Sequence, residues 1–254
     1  FLPMSFGLNF PESTWKTLSW NSTAGTAAMA PPEAETKSSG LIVRVISAAV
    51  LAPVVLGAVY AGSPYFEILV AVAALIMAYE WNRLCSGRMG WMVVGVFYIG
   101  LPCLALLSLR ADPAHGRETL FWLLAVVWAA DTGAYAFGRL IGGPKLAPFI
   151  SPNKTWAGLA GGIGMAAIIG VGSALLLNHK AILMLAGLSA LIGAVSQAGD
   201  LVESWVKRHF GVKDTGNIIP GHGGLLDRVD GLLVAALGVA IIGVTGLGGI
   251  LIWT

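Results

Sequence analysis

The run SWVKRHFGVKDTGNIIPGHGGLLDRVD, residues 204–230, sets Lys207, Arg208, Lys213, Asp214, Asp227, Arg228 and Asp230 between two long apolar segments, in a chain that is only 11% charged. Soluble domains carry roughly 25% charged residues. With 56% hydrophobic residues and a mean hydropathy of +0.79, the sequence reads as an integral membrane protein whose fold is an all-α, polytopic helical bundle. Ionisable groups of both signs at a membrane boundary are costly to desolvate, which marks the run as a site of function.

Outward from this run, apolar windows long enough to cross about 30 Å of hydrocarbon fall at 41–62, 64–84, 91–109, 119–140, 156–177, 181–205 and 225–253. That predicts seven spans, or up to nine if short helix pairs share a window. A cytoplasmic N-terminus puts eleven Lys and Arg residues on the inner side and leaves only Arg110, Arg117 and Lys180 outside, as the positive-inside rule requires. Both polar loops, 139–155 and 204–230, then face the cytoplasm. The net charge of +2 rests on few residues and argues against a nucleic-acid partner. Cys85 and Cys103, both in or beside apolar windows, read as packing residues.

Residues 1–40 differ in composition and are expected to form a polar, disordered tail ahead of a membrane-embedded domain at 41–254. Met29 is the expected start of the native chain, which leaves residues 1–28 outside it. In the fifth window Gly158, Gly162 and Gly170, with Ala160, Gly164 and Gly172, offer small-residue faces for close helix approach. Internal packing is the expected use; a dimer seam is the alternative.

Ten acidic residues lie beyond residue 40, and six of them are Asp131, Asp200, Glu203, Asp214, Asp227 and Asp230. Asp227 and Asp230 are three apart, so a helix beginning near Gly224 projects both carboxylates from one face. Such a pair suits Mg²⁺, which takes one or two carboxylates plus waters and phosphates, and Asp200 can approach the same ion from the preceding span. The competing structural reading has Asp227 capping a helix or pairing with Arg228, and Asp200 pairing with Lys207. Lys207, Arg208, Lys213 and Lys154 supply cations suited to a polyphosphate. Gly223 and Gly224, beside His222, form a turn able to cradle phosphate. Asp131 must face the bundle interior, either in a structural hydrogen bond or in the site. Glu80 is expected to pair with Arg83 at the membrane interface.

Taken together, Ser204, Lys207, Arg208, Lys213, Asp214, Gly216, Pro220, His222, Gly223, Gly224, Asp227, Arg228 and Asp230 resemble, without a break, the signature of the phosphatidate cytidylyltransferases (CDP-diacylglycerol synthases). DTGAY at 131–135, SPNKTW at 151–156 and GDLVES at 199–204 extend the likeness to roughly residues 41–254. One departure is Ala157, where the family usually carries Glu.

The resemblance implies transfer of a cytidylyl group from CTP to phosphatidic acid, giving CDP-diacylglycerol and pyrophosphate, by a homodimer in the bacterial inner membrane whose site faces the cytoplasm. It implies Mg²⁺, in some members with a monovalent cation such as K⁺, on Asp200, Asp227 and Asp230. With Lys207 and Arg208 these are the expected catalytic residues. Ser151, Lys154, Thr155, Lys213, Asp214, His222, Gly223, Gly224, Arg228 and Asp131 are expected to line the substrates. Rival readings are a cytidylyltransferase acting on another lipid phosphate and a cation-coupled transporter.

Overall fold

The structure, a computed structural model, describes residues 33–178, 180–216, 218 and 223–244, with side chains from residue 46 onward. Among the described residues seven helices fall in the seven apolar windows: α1 (Glu33–Ala61), α2 (Tyr65–Cys85), α3 (Met89–Arg110), α4 (Gly116–Leu140), α5 (Trp156–Leu176), α6 (Ile182–His209) and α7 (Leu226–Val244). Five of them, α2 to α6, are long and apolar enough to cross a membrane. The chain is an integral membrane protein with the helical bundle that its composition predicts. α1 runs back to Glu33, so the end of the expected polar tail is helical. The rest of that tail, and the glycine-rich end of the seventh window after Val244, lie outside the described residues.

The helix ends follow from local chemistry. Pro64, which has no N–H to donate, stands immediately before α2, and α2 stops at Ser86, whose φ of +51° is left-handed. The Thr155 hydroxyl accepts from Gly158 N at 3.0 Å and caps α5. With 28 residues α6 is about 42 Å long. It therefore outlasts the hydrocarbon and carries its last turn, with Lys207 and Arg208, into the interface. Among the described residues, the departure from all-helical architecture is a small antiparallel hairpin in the loop before α5, β1 (Lys145–Ala147) with β2 (Ser151–Thr155).

α4, α5 and α6 form the centre, with α7 on α6 and α3 along α7. Gly158, Gly162 and Gly170 are buried in these seams. A methyl at Gly162 would sit 2.7 Å from the Ala130 carbonyl oxygen, and one at Gly170 2.7 Å from that of Leu185. The expected internal packing is thus what the first small-residue face does. Gly164 and Gly172, on the other face, have open space where a Cβ would be. Leu123, Val126, Ala130, Ala166, Ile192 and Leu233 fill the core, and Cys85 and Cys103 are buried within it as free thiols.

Candidate active site

Successive turns of α6 present Gln197, Asp200, Glu203 and Lys207 toward neighbouring elements. Asp200, Glu203 and Asp230, the last from the second turn of α7, form a three-carboxylate group, with one oxygen of each within 4.8 Å of the others. The helices meet closely here because two glycines remove side chains: Gly199 packs on Val234, and Gly231 on the Ser196 hydroxyl.

Two lysines offset the charge. Lys154, from β2, pairs with Asp200 at 2.7 Å and also reaches the Gln197 carbonyl at 3.4 Å. Lys207 lies between Glu203 and Asp227, 2.8 Å from each, and both carboxylates are nearly buried. Removing one partner of a buried pair costs about 3–5 kcal/mol, because the remaining charge stays desolvated.

Of the three aspartates expected around one ion, Asp200 and Asp230 lie in this group, and Asp227 adjoins it across Lys207, 2.8 Å from the ammonium that also pairs with Glu203. Asp227 accepts from Lys207, from Thr215 N at 3.0 Å and from Gly224 N at 3.1 Å. It ties down the loop that leads into α7. The amides it holds precede α7, so this is a loop anchor and not the helix cap weighed for it, and Lys207 is a cation partner of Asp227; Asp200 pairs with Lys154. The third carboxylate of the group is Glu203, whose signal in the sequence was its position one helical turn after Asp200 and one before Lys207.

Glu80 also departs from expectation. It makes no interfacial pair with Arg83; it is 1% exposed and accepts from Leu225 N at 2.9 Å and Leu226 N at 2.8 Å. Its carboxylate thus satisfies two amides at the start of α7, where the helix dipole favours negative charge. Gly216 and Gly224 let it approach, since a Cβ on either would lie 2.9 Å from Glu80 Oε1.

Beside Asp200 opens a cavity of about 590 Å³ lined by Asp131, Tyr135, Arg139, Asn153, Lys154, Thr155, Gln197 and other residues of α4, the hairpin, α5 and α6. Asp131 accepts from Gln197 Nε2 at 2.9 Å across the α4–α6 seam, so it is both a structural acceptor and part of the wall. Arg139 donates to the Tyr135 hydroxyl at 2.9 Å. Thr155, expected to touch substrate, lines the cavity while its hydroxyl caps α5. Arg208 bonds the carbonyls of Ile150, in the hairpin turn, and Val212. Ser151 is half-buried, Lys213, Asp214 and Arg228 are exposed, and Gly223 adopts φ +86°. His222 lies outside the described residues.

Leu225, Val229, Leu232 and Leu233, at the start and along α7, line a second cavity of about 610 Å³. Its walls, from α1 to α4 and α7, are almost wholly apolar, and run from Ile46 and Met77 to Val59 and Phe66.

Residues 85–245, which contain the carboxylates, both lysines and the polar cavity, match the model of the cytidylyltransferase family. The chain belongs to the cytidylyltransferase family. Glu80 lies just outside the matched segment of this family member. Phosphatidate cytidylyltransferases of Brucella suis and Brucella melitensis are 50% identical to it over 168 residues, 66% of this chain and 61% of theirs. One of Rickettsia bellii is 34% identical over 207 residues, 79% of this chain and 89% of its own. The chain thus spans about three-fifths of the length of the Brucella relatives.

Proposed function

We propose that this protein transfers the cytidylyl group of CTP to phosphatidic acid, forming CDP-diacylglycerol and pyrophosphate. The observation that carries the reading is the three-carboxylate group with Lys154 and Lys207 against it, at the edge of a polar cavity within the family-matched segment. Relatives over that segment are named phosphatidate cytidylyltransferases.

The carboxylate group suits a divalent cation. Its donors are hard oxygens of the kind Mg²⁺ takes, and Glu203 Oε1 is buried with no hydrogen-bond partner among the described residues. Asp200, Glu203 and Asp230 would hold the ion. When bound, it neutralises charge on the reacting phosphates and on the pyrophosphate leaving group.

A phosphate oxygen of the lipid attacks the α-phosphorus of CTP as the bond to the bridging oxygen of the β-phosphate breaks, and pyrophosphate departs with that oxygen. No protein nucleophile is needed, because the acceptor is already anionic. The chain's own contribution is positioning and charge. Lys154, held by Asp200 at the cavity wall, is placed to bind phosphate, and Asp131, Asn153, Tyr135 and Arg139 offer donors and acceptors to the rest of the nucleotide. The apolar cavity against α7 is our site for acyl chains, its lining continuous through Leu225 and Val229 with the turns that bear Asp227 and Asp230. The proposal includes a cytoplasm-facing site in the bacterial inner membrane, supported by the Lys and Arg asymmetry, and a homodimer, supported by the family resemblance.

Incubating the purified protein with labelled CTP, Mg²⁺ and phosphatidic acid tests the reading; a labelled CDP-lipid is expected, and its absence at any Mg²⁺ concentration would sink it. Replacing phosphatidic acid with an isoprenoid-ether lipid phosphate separates the two acceptor classes.

A further inference from the structure

The hairpin that carries Lys154 is short, and little of its own structure holds it in place. Its strands pair Lys145 with Thr155 and Ala147 with Ser151, with an irregularity between, and an isolated two-stranded hairpin is at best marginally stable in water. Phe149, in the turn, is 96% exposed, so the turn gains no burial from its largest side chain. Yet Asn153, Lys154 and Thr155 of this hairpin line the polar cavity. Where the hairpin sits therefore decides where three cavity residues sit.

Helix α6 holds the hairpin at two points. Asp200 takes the Lys154 ammonium at 2.7 Å, and further along the same helix Arg208 donates from Nε to the Ile150 carbonyl, in the hairpin turn, at 3.3 Å. Nη1 of Arg208 donates to the Val212 carbonyl at 3.0 Å, so one planar guanidinium bridges the hairpin turn and the chain just past α6. The spacings agree. Asp200 and Arg208 are about 12 Å apart along the helix, and Ile150 and Lys154 about 13 Å apart along the strand. The strand thus runs beside the end of α6 in the opposite direction, gripped at both ends. Among the described residues Arg208 does not line the polar cavity, so it is placed to act on the hairpin and not on a nucleotide in that cavity.

We propose that Arg208 is a positioning residue for CTP: by fastening the hairpin turn to the last turn of α6, it keeps Lys154 at the cavity wall beside Asp200. The inference rests on the reading above that Lys154 binds a phosphate of CTP. It gives Arg208 a role exerted through Lys154, in place of the direct part in the site expected from the sequence.

The test places a nitroxide label on Phe149→Cys, at the exposed turn, where Cys85 and Cys103 are buried and do not compete for the reagent. Label mobility by paramagnetic resonance and CTP affinity by equilibrium dialysis with Mg²⁺ are compared, in micelles, between this parent and its Arg208→Gln and Arg208→Lys variants. Arg208 is exposed, so the unfolding temperature should hold. Arg208→Gln should make the label more mobile without substrate and weaken CTP binding about fivefold to tenfold, the value of one charge-assisted hydrogen bond partly screened by water. Arg208→Lys, which can reach one carbonyl but not bridge two, should fall between. In a Lys154→Gln background, Arg208→Gln should change CTP affinity by no more than about twofold, because its effect passes through Lys154. An undiminished loss in that background, or a label whose mobility Arg208→Gln leaves unchanged, overturns the proposal. Parent protein that binds no CTP removes the nucleotide reading, and label mobility, which needs no substrate, still judges the clamp. Parent protein that binds CTP but forms no CDP-lipid overturns only the proposed reaction, and both readouts still judge Arg208.

Discussion

At the scale of single residues, Asp227 and Glu203 separate two tasks that the signature run together. Both touch Lys207 at 2.8 Å, but Asp227 spends its remaining acceptor capacity on the amides of Thr215 and Gly224, whereas Glu203 keeps a buried oxygen open beside Asp200 and Asp230. Glu203→Gln should therefore weaken Mn²⁺ binding by at least tenfold, while Asp227→Asn should leave it within about threefold and lower the unfolding temperature as the loop loosens. Parallel Mn²⁺ titrations and melts of the two variants decide this. Metal loss in Asp227→Asn alone would restore the three-aspartate set. Asp200, Asp230, Lys154 and Lys207 stood out in the sequence as candidate site residues because charges are rare in this chain. The division of labour did not, since it depends on which way α7 is turned about its axis.

At the scale of elements, α7 begins where a side chain from another helix lets it begin. Its first amides bond to Glu80 of α2, a residue about 145 positions away in the chain. Glu80→Gln removes the charge and turns an amide N–H₂ toward a backbone donor. It should cost about 1–3 kcal/mol, seen as a lower unfolding temperature and faster proteolysis of the loop before Leu226, with Glu80→Asp recovering part of the loss. In the sequence, Arg83 three residues later offered a nearer partner, and nothing local could show that the amides of a distant helix would win.

The small-residue faces of α5 give a second element-scale test. Gly162→Val should severely reduce folded protein, because the added atoms meet the Ala130 backbone, where overpacking typically costs about 1–3 kcal/mol or more. Gly164→Val, into open space, should be recovered at wild-type yield and melt within a few degrees of wild type. Equal melting temperatures for the two would contradict the packing assigned to this helix.

At the scale of the whole molecule, the bundle holds a polar cavity of about 590 Å³ beside Asp200 and an apolar one of about 610 Å³ against α7. A lipid phosphate needs both environments, one for its head and the other for its chains. Ala73→Trp, which fills the apolar cavity from α2, should raise the KM for a long-chain phosphatidic acid about tenfold, equivalent to about 1.4 kcal/mol. The KM for the water-soluble dihexanoyl form should stay within twofold. An equal rise for both lipids in a steady-state assay would place the acyl chains elsewhere.

Composition alone made this a membrane protein, and the apolar windows placed α2 to α6 within a few residues of their observed limits, because the cost of exposing polar backbone in lipid ties span length to hydropathy. Motif spacing pointed to the stretch of chain that carries much of the candidate site, since charged groups in an apolar protein are costly to bury and mark a site of function. Only the tertiary structure decided that Glu203 joins Asp200 and Asp230, and that Asp227 and Glu80 anchor the entry to α7. Those contacts join different helices. They depend on rotation and depth within the bundle, quantities that helix–helix packing sets and that the order of residues along one helix leaves open.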